Sequence, residues 1–264
     1  MYNFNYHQAK NVDEASKLVT SVEEGKVMAG GMTLIPTLKQ RLAKPSDVID
    51  LGKIPELKGI KKEGNAIVVG AMTRHFDVAN SDVVKQSIPG LAQLAGHIGD
   101  PAVRHRGTCG GSIANSDPAA DYPSSVLALN ATIITNKRKI AADDFFKGLF
   151  ETALEPGEII TAVSFPIPER SAYMKFPNPA SRYAIVGVFV AKTGNNVRVG
   201  VTGAGACAFR QKDMEAALSK NFSADAIKDI KQSDNGLNSD IHASAEYRAH
   251  LVNVMARRAV QACG

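Results

Sequence analysis

The first third of the chain alternates apolar positions at helical spacing with short apolar runs typical of strands. Residues 12–22 follow the helical spacing, and Gly25 stands where a helix is expected to stop. Lys26 to Ala29 predicts a short strand that runs into the Gly30-Gly31 pair, after which helical spacing resumes over residues 34–42. The predicted order is therefore helix, strand, glycine turn and helix.

The same patterns predict elements along most of the remaining chain. Helices are expected at residues 88–95 and 125–129, and strands at 48–51, 60–63, 66–69, 131–135, 139–141, 159–165, 185–191 and 197–201. From Asp213 onward a mostly helical region is predicted, ending in a long amphipathic helix from His242 to Ala262 with Tyr247, Leu251, Val254 and Ala259 near one face. Pro166 and Pro168 mark a domain boundary.

One segment shows neither the helical nor the strand spacing of apolar residues. Gly96 to Asp121 is dense in Gly, Asp, Asn and Pro, which is typical of a loop. Because a loop of this length is uncommon in a compact domain unless it has a function, we expect a binding segment here.

Composition and charge narrow the class of protein. With 44% hydrophobic and 22% charged residues the chain is typical of globular proteins. Its net charge of +5 is scattered, and the longest basic run is only Lys137 to Lys139, which argues against nucleic-acid binding. No membrane span is expected, because the longest apolar run, Ala184 to Ala191, is far below the roughly 18 residues required. The N-terminus lacks a signal-peptide pattern, so we expect a cytoplasmic protein.

Cysteine and histidine patterns argue against a metal in this chain. Cys109, Cys207 and Cys263 lie far apart and form no C-x-x-C pair, and the histidines show no H-E-x-x-H pattern. We therefore expect neither zinc nor an iron–sulfur cluster here.

Two glycine pairs are the strongest candidates for a binding site. The first lies in Ala29-Gly30-Gly31-Met32-Thr33-Leu34, and the second in Thr108-Cys109-Gly110-Gly111-Ser112. Paired glycines let the backbone approach a ligand closely and turn amide groups toward an anion, and Thr33 could cap the helix that follows. Two such loops could hold a pyrophosphate from both sides. The alternative is that both pairs are tight turns, since neither matches G-x-G-x-x-G or a P-loop.

Around the second pair the chain resembles a known family. The segment from Arg104 to Pro123, RHRGTCGGSIANSDPAADYP, resembles the central signature of the flavin-binding medium subunits of molybdenum hydroxylases, the carbon monoxide dehydrogenase and xanthine dehydrogenase group. Further similar motifs, in the same order, are the first glycine pair, Leu51 to Leu57, Gly70 to His75, and Gly157 to Ile160.

The resemblance implies an α+β fold. Residues 1–168 would form an FAD-binding domain of the vanillyl-alcohol oxidase (PCMH) type with two lobes, about 1–55 and 56–168. Residues 169–264 would form a smaller α+β domain with an antiparallel sheet and helices, similar to the C-terminal domain of carbon monoxide dehydrogenase flavoproteins. By the same resemblance the cofactor is FAD.

The resemblance also assigns roles to individual residues. The pyrophosphate would lie between the two glycine loops, and carboxylates would meet the ribityl or ribose part, where they can accept hydroxyl hydrogen bonds. Lys175 would face a flavin ring oxygen and Tyr183 would cover a ring face; the alternative is an exposed lysine and a tyrosine at a strand end. The residues so assigned are Ala29, Gly30, Gly31, Met32, Thr33, Leu34, Thr108, Gly110, Gly111, Ser112, Asp117, Asp121, Ile160, Lys175 and Tyr183. Cys109 stands where the family often has an aliphatic residue, and a buried structural thiol is the favoured interpretation.

The implied function is electron transfer. A large subunit would oxidise substrate at a molybdenum cofactor, and a small subunit would relay electrons through iron–sulfur clusters. FAD on this chain would pass the electrons to an acceptor, in a heterotrimer or a dimer of heterotrimers. No catalytic side chain is required, because the cofactor carries the redox chemistry. Two alternatives are a self-contained FAD oxidoreductase of the same fold and a non-catalytic nucleotide-binding scaffold. The substrate would be selected by the molybdenum subunit, and the acceptor stays open between oxygen, NAD, a quinone and a ferredoxin.

Overall fold

The computed structural model describes residues 1–263, which form three larger sheets and one two-stranded sheet, with helices packed around them. The first lobe contains β1 (Asn5–Gln8), α1 (Val12–Ser21), β2 (Gly25–Met28), α2 (Leu34–Lys39) and β3 (Asp47–Asp50). Its strands form a parallel sheet in the order β1-β3-β2. Asn11 caps α1 by accepting a hydrogen bond from the Glu14 amide at 2.8 Å, as favoured at a helix N-terminus. The strand β1 was not predicted, because its sequence Asn-Tyr-His-Gln has no apolar alternation.

The second lobe is built on an antiparallel sheet. Its elements are β4 (Ile60–Glu63), β5 (Ala66–Gly70), α3 (His75–Asn80), α4 (Asp82–Ser87), α5 (Pro89–Gly96), α6 (Pro101–Arg106), α7 (Cys109–Asn115), α8 (Tyr122–Ala128), β6 (Thr132–Thr135), β7 (Lys139–Ala141), α9 (Ala142–Phe145), β8 (Phe146–Gly148), β9 (Glu151–Thr152) and β10 (Ile160–Pro166). Five strands pair in the order β4-β5-β10-β6-β7, while β8 and β9 form a separate hairpin. The helices pack their apolar faces into one core with this sheet.

Part of the segment expected to be loop is helical. Asp100 accepts a hydrogen bond from the Val103 amide at 2.8 Å and caps α6, which begins at Pro101. Thr108 caps α7 in the same way through the Gly111 amide. The loop prediction for Gly96 to Asp121 was therefore wrong over these two short helices, because each has a side-chain cap at its N-terminus, and α7 forms despite its two glycines.

The C-terminal part forms a four-stranded antiparallel sheet with helices against it. Its elements are β11 (Arg170–Pro177), β12 (Ala184–Thr193), β13 (Asn196–Thr202), β14 (Phe209–Arg210), α10 (Lys212–Lys220) and α11 (Ala245–Ala262). The strands pair in the order β11-β12-β13-β14. The strands predicted at 185–191 and 197–201 are confirmed, and they pair as a hairpin, with Thr193 opposite Asn196 and Gly194 at a φ of +56° in the turn.

The prediction for the C-terminal helices needs two corrections. Only α10 and α11 are α-helices between residue 212 and residue 263, and α11 begins at Ala245 because Ser244 caps it. The buried face of α11 includes Leu251 and Ala259, as predicted, whereas Tyr247 is 42% exposed. Tyr247 is therefore not on the apolar face, and Val254 is only half-buried.

The C-terminal sheet shares a core with the second lobe. Tyr173 on β11 and Phe189 on β12 are fully buried among the apolar side chains of the second lobe. Gly200 on β13 lies against α8 so closely that a Cβ there would be 2.0 Å from the Ser124 carbonyl oxygen. None of the helices within residues 1–263 is long and apolar enough to cross a membrane.

We expect Gly200→Ala to destabilise the protein by about 1–3 kcal/mol, because the added methyl group overpacks the contact with α8. The matched control is Gly96→Ala, where the nearest heavy atom would be Ala79 Cβ at 3.9 Å. Urea unfolding of both variants checks this, and equal stability of the two would contradict the close contact.

Candidate functional site

A cavity of about 760 Å³ lies between the two glycine segments and the loop that joins β11 to β12. It is large enough for a dinucleotide-sized ligand in part or in whole. All of the predicted cofactor residues except Lys175 line it, namely Ala29, Gly30, Gly31, Met32, Thr33, Leu34, Thr108, Gly110, Gly111, Ser112, Asp117, Asp121, Ile160 and Tyr183. Residues far apart in the sequence are thus brought to one site.

The two glycine loops touch each other. A Cβ on Gly30 would lie 2.1 Å from the Arg106 carbonyl oxygen, and a Cβ on Gly111 would lie 3.1 Å from Ala29 Cβ. Since no side chain longer than hydrogen fits at Gly30, the first loop can stack directly on the segment before the second. Gly31 adds a positive φ of +75°, which L-residues rarely adopt.

The backbone amides of the two loops differ. Those of residues 30–34 donate to no acceptor within residues 1–263, and they follow one another at the start of α2. In the second loop the Gly110 amide donates to Ala71 O at 2.8 Å and the Ser112 amide to Thr108 O at 3.0 Å. The expectation of free amides in both loops is therefore correct only for the first.

Thr33 and Ser112 place hydroxyl groups at this end of the cavity. Thr33 occupies the N-cap position of α2, but its side chain makes no capping hydrogen bond, so the expected cap is absent. Thr33 and Ser112 both line the cavity together with the residues that carry the free amides. Successive amides and hydroxyls of this kind form a concave site for an anion such as a phosphate.

Two carboxylates stand at another part of the cavity. Asp117 accepts the Ala119 amide at 2.9 Å, and burial raises its pKa above the ordinary value. Asp121 is buried, and it accepts hydrogen bonds from the Tyr173 hydroxyl and the Lys175 ammonium, the latter at 2.9 Å. Burial also raises the pKa of Asp121, while Lys175 opposes that effect.

Lys175 does not reach the cavity wall. Its side chain is only 4% exposed, and its ammonium group is bound to Asp121 and to the His97 carbonyl oxygen. The alternative of an exposed lysine is therefore wrong, and its contact with a ring oxygen stays a prediction. Tyr183 lines the cavity beside the two carboxylates; burial and then the charges of Asp117 and Asp121 raise its pKa.

Glu158 anchors the segment that carries Ile159 and Ile160 along the cavity. Its carboxylate accepts hydrogen bonds from Thr135 Oγ1 at 2.7 Å and from Arg138 Nε at 3.0 Å, and the Glu155 amide donates to it at 2.8 Å. These bonds, first of all those from Arg138, lower the pKa of Glu158 to about 2. The sequence motif that includes Glu158 is therefore explained by support of the cavity wall.

Two further residues, His75 and Phe150, line the cavity although no role in it was predicted for them from the sequence. His75 is buried, its Nδ1 has no partner among residues 1–263, and burial followed by the Arg104 charge lowers its pKa to about 4, so it is neutral. Phe150 is 57% exposed at the cavity edge with a φ of +55°.

Cys109 is fully buried, and burial raises its thiol pKa, in agreement with a structural role. Among residues 1–263 no group of three or more His, Cys, Asp or Glu could hold a metal ion.

Comparisons with known proteins match this architecture. A family model described as the FAD binding domain in molybdopterin dehydrogenase matches residues 2–168, and one described as the CO dehydrogenase flavoprotein C-terminal domain matches residues 171–263. The fold and the site thus define a two-part FAD-binding subunit of an oxidoreductase. The chain belongs to the FAD-binding medium subunits of the molybdenum hydroxylase family, of the carbon monoxide dehydrogenase type, and its cofactor is FAD.

Curated relatives match along nearly their whole length. The chain is 34% identical to the glyceraldehyde dehydrogenase medium chain of Sulfolobus acidocaldarius, over 97% of this chain and 96% of that one. It is 34% identical to the carbon monoxide dehydrogenase medium chain of Hydrogenophaga pseudoflava, over 98% and 96%. It is 35% identical to the nicotine 6-hydroxylase medium subunit of Paenarthrobacter nicotinovorans, again over 98% and 96%.

Solved structures agree. A chain of the reconstituted CO dehydrogenase from Oligotropha carboxidovorans superposes with a TM-score of 0.89 and 31% identity, covering 99% of this chain and 98% of that one. A chain of quinoline 2-oxidoreductase from Pseudomonas putida 86 gives 0.88 and 28%, covering 99% and 97%. The predicted family, the α+β fold and the cofactor are therefore confirmed.

The residues present fit FAD. The free amides of residues 30–34 can donate hydrogen bonds to phosphate oxygens. The two glycine segments can lie this close together only because Gly30 has no Cβ. The carboxylates of Asp117 and Asp121 suit hydroxyl donors.

We expect Gly30→Ala and Gly111→Ala to lose FAD, because a Cβ at either position would push the two loops apart. The measurement is the amount of flavin released from purified, denatured protein, with retained circular dichroism showing that the variants fold. Gly96→Ala serves as the control and should keep full occupancy. Full occupancy in the Gly30 variant would refute the role of the loop contact.

A second prediction concerns Glu158 and acid. Its lowered pKa means that its contribution to folding is present above the unfolded-state value of 4.5 and is lost as pH falls toward about 2. Because Arg138 is 43% exposed, we expect only about 1–2 kcal/mol from the pair. Urea unfolding of wild type and Glu158→Gln at a series of pH values should show a stability difference that shrinks below pH 4.5. A difference independent of pH would contradict this.

Proposed function

We propose that this chain is the exit subunit of a molybdenum-dependent hydroxylase, which passes electrons from iron–sulfur clusters on a small partner subunit to an external acceptor. Substrate oxidation takes place at the molybdenum cofactor of a large partner subunit. The observation that carries the proposal is the row of free amides at residues 30–34 facing a cavity that also holds the Asp117 and Asp121 carboxylates. The relatives' names support the assembly, since "medium chain" and "medium subunit" denote one chain among others.

The residues of the two glycine loops bind the pyrophosphate part of FAD. The amides from Gly30 to Leu34, with the Thr33 and Ser112 hydroxyls, bind the pyrophosphate. Ala29, Met32, Thr108, Gly110 and Gly111 form the backbone walls around it. Support for this assignment comes from the free amides of the first loop and from the internally bonded amides of the second.

The sugar and ring contacts follow from the remaining lining groups. Asp117 and Asp121 accept hydrogen bonds from hydroxyl groups of the ribityl or ribose part, and Ile160 and Tyr183 contact the ring system. Lys175 acts on the site through its ion pair with Asp121. When bound, the flavin supplies one- and two-electron chemistry, so the chain's own residues orient it and limit the access of water.

The domain division is part of the same proposal. Residues 1–168 form the FAD-binding domain, with lobes of about 1–55 and 56–168, and residues 169–264 form the C-terminal domain. Two observations support the boundary near residue 168: the family models match residues 2–168 and 171–263, and the apolar cluster under the C-terminal helices contains only residues from 174 onward. The assembled enzyme is a heterotrimer or a dimer of heterotrimers.

The exit role predicts which steps survive the loss of FAD. In an Asp121→Ala complex we expect substrate to reduce the molybdenum and iron–sulfur centres as in wild type, because no group of this chain takes part upstream. Transfer to the acceptor should be lost, since an unpaired buried hydroxyl costs about 1–3 kcal/mol and weakens FAD binding. The substrate is whichever of carbon monoxide, glyceraldehyde or nicotine bleaches the wild-type clusters on anaerobic mixing.

The control is the wild-type complex stripped of FAD and then reloaded. If the flavin-free Asp121→Ala complex fails to bleach its clusters while the stripped wild type succeeds, the chain takes part in the substrate step. A chain that reduces its own flavin with substrate when purified alone would instead support a self-contained oxidoreductase.

A further inference from the structure

The carboxylate of Asp121 is held by the C-terminal domain and not by its own. Both of its side-chain partners, Tyr173 and Lys175, lie on β11 and point to it from the same side. The Lys175 ammonium lies 2.9 Å from one carboxylate oxygen and 3.1 Å from the other, and the Tyr173 hydroxyl donates to the first. Asp121 in turn lines the cofactor cavity.

Both partners are fixed in position. The Tyr173 ring is fully buried, with its centroid 6.3 Å from that of Phe189. Lys175 also donates to the His97 carbonyl oxygen at 3.0 Å. Because ring and ammonium are both held elsewhere, neither can follow Asp121 if that side chain rotates. Hydrogen bonds to a charged group inside a protein are strong, so this arrangement fixes the carboxylate.

The backbone that carries Asp121 is attached to the same sheet. Thr202 Oγ1 donates to Ala120 O at 2.6 Å, and the Gly203 amide donates to Pro118 O at 2.7 Å. The Ala184 amide donates to Ala119 O at 3.2 Å. Strands β12 and β13 therefore set the path of residues 118–121, and β11 sets the side chain at its end.

We propose that Tyr173 and Lys175 are positioning residues for FAD. They hold Asp121 charged and oriented toward the cofactor's hydroxyl groups. In this way two residues of the C-terminal domain control the affinity for FAD without contacting FAD themselves. The inference rests on the proposed FAD contact of Asp121. It adds that this contact depends on donors from a different domain, and that a change to either donor alters FAD binding through the charge of Asp121.

The sign of the effect follows from the chemistry of a carboxyl group. A donor hydrogen bond or a positive charge favours the ionised form, so removal of the Tyr173 hydroxyl raises the proton affinity of Asp121. FAD affinity should then begin to fall at a higher pH than in wild type. The ionisable groups that face Asp121 are Tyr173, Lys175, His97, Tyr122 and Tyr183, and only the first is altered in Tyr173→Phe.

The test is FAD binding to the full-length apoprotein, followed by quenching of flavin fluorescence across a series of pH values. We expect Tyr173→Phe to bind FAD about tenfold more weakly near neutral pH, the loss expected for one hydrogen bond to a charged group. Its pH profile should also move upward. Lys175→Met should change both quantities in the same direction.

The matched control is Tyr122→Phe. Tyr122 is also fully buried and adjacent to Asp121, but its hydroxyl has no partner within residues 1–263, so the variant should bind FAD with the wild-type profile. Tyr122→Phe and Tyr173→Phe each remove a buried tyrosine hydroxyl, so any general effect of that loss is the same in both. Only the loss of a hydroxyl that contacts Asp121 should shift the pH profile. If either donor variant fails to fold, the pH profile of the other decides.

Two results would overturn the inference, and they are distinguishable. If Asp121→Ala weakens FAD binding but the donor variants keep the wild-type affinity and pH profile, the positioning role is wrong and the site assignment stands. If Asp121→Ala itself binds FAD with full affinity, the proposed contact is wrong and the inference fails with it.

Discussion

The contact between the two glycine segments is the constraint on which the site depends. The space at Gly30 ends at the Arg106 carbonyl oxygen, only 2.1 Å from where a Cβ would be. With the first loop stacked on that segment, its amides from residue 30 to residue 34 are left without acceptors among residues 1–263. Amide groups without an acceptor raise the free energy of the folded protein unless water or a ligand accepts hydrogen bonds from them. The fold therefore favours binding of an anion at this row of amides.

The C-terminal domain completes what the first two lobes begin. Tyr173 and Phe189 are buried in the core of the second lobe, and the backbone of residues 118–121 is bonded to β12 and β13. The cavity wall formed by residues 118–121 therefore depends on how this sheet packs against the second lobe. The site is accordingly a property of the whole chain, which agrees with the matches to relatives over nearly their full length.

Much of the fold and most of the site could be predicted from the sequence, because glycine pairs and apolar periodicity are local signals. The helix around Asp100 to Arg106 was missed because its stability comes from an aspartate cap and not from apolar spacing. The strand that carries Tyr173 was missed because its apolar residues face two different cores, so no alternation is visible. Lys175 illustrates the same limit, since its partner Asp121 is distant in sequence and only the fold brings them together.

Hydrogen exchange of the backbone amides, measured with and without FAD, tests the central claim most directly. Within the part of the chain that the structure describes, the amides of residues 30–34 have no acceptor, whereas those of Gly110 and Ser112 are already bonded. Addition of FAD should therefore strongly slow exchange in a peptide that covers residues 30–34 and change exchange much less in one that covers residues 109–112. Equal exchange of the first peptide with and without FAD, at full occupancy, would contradict the account.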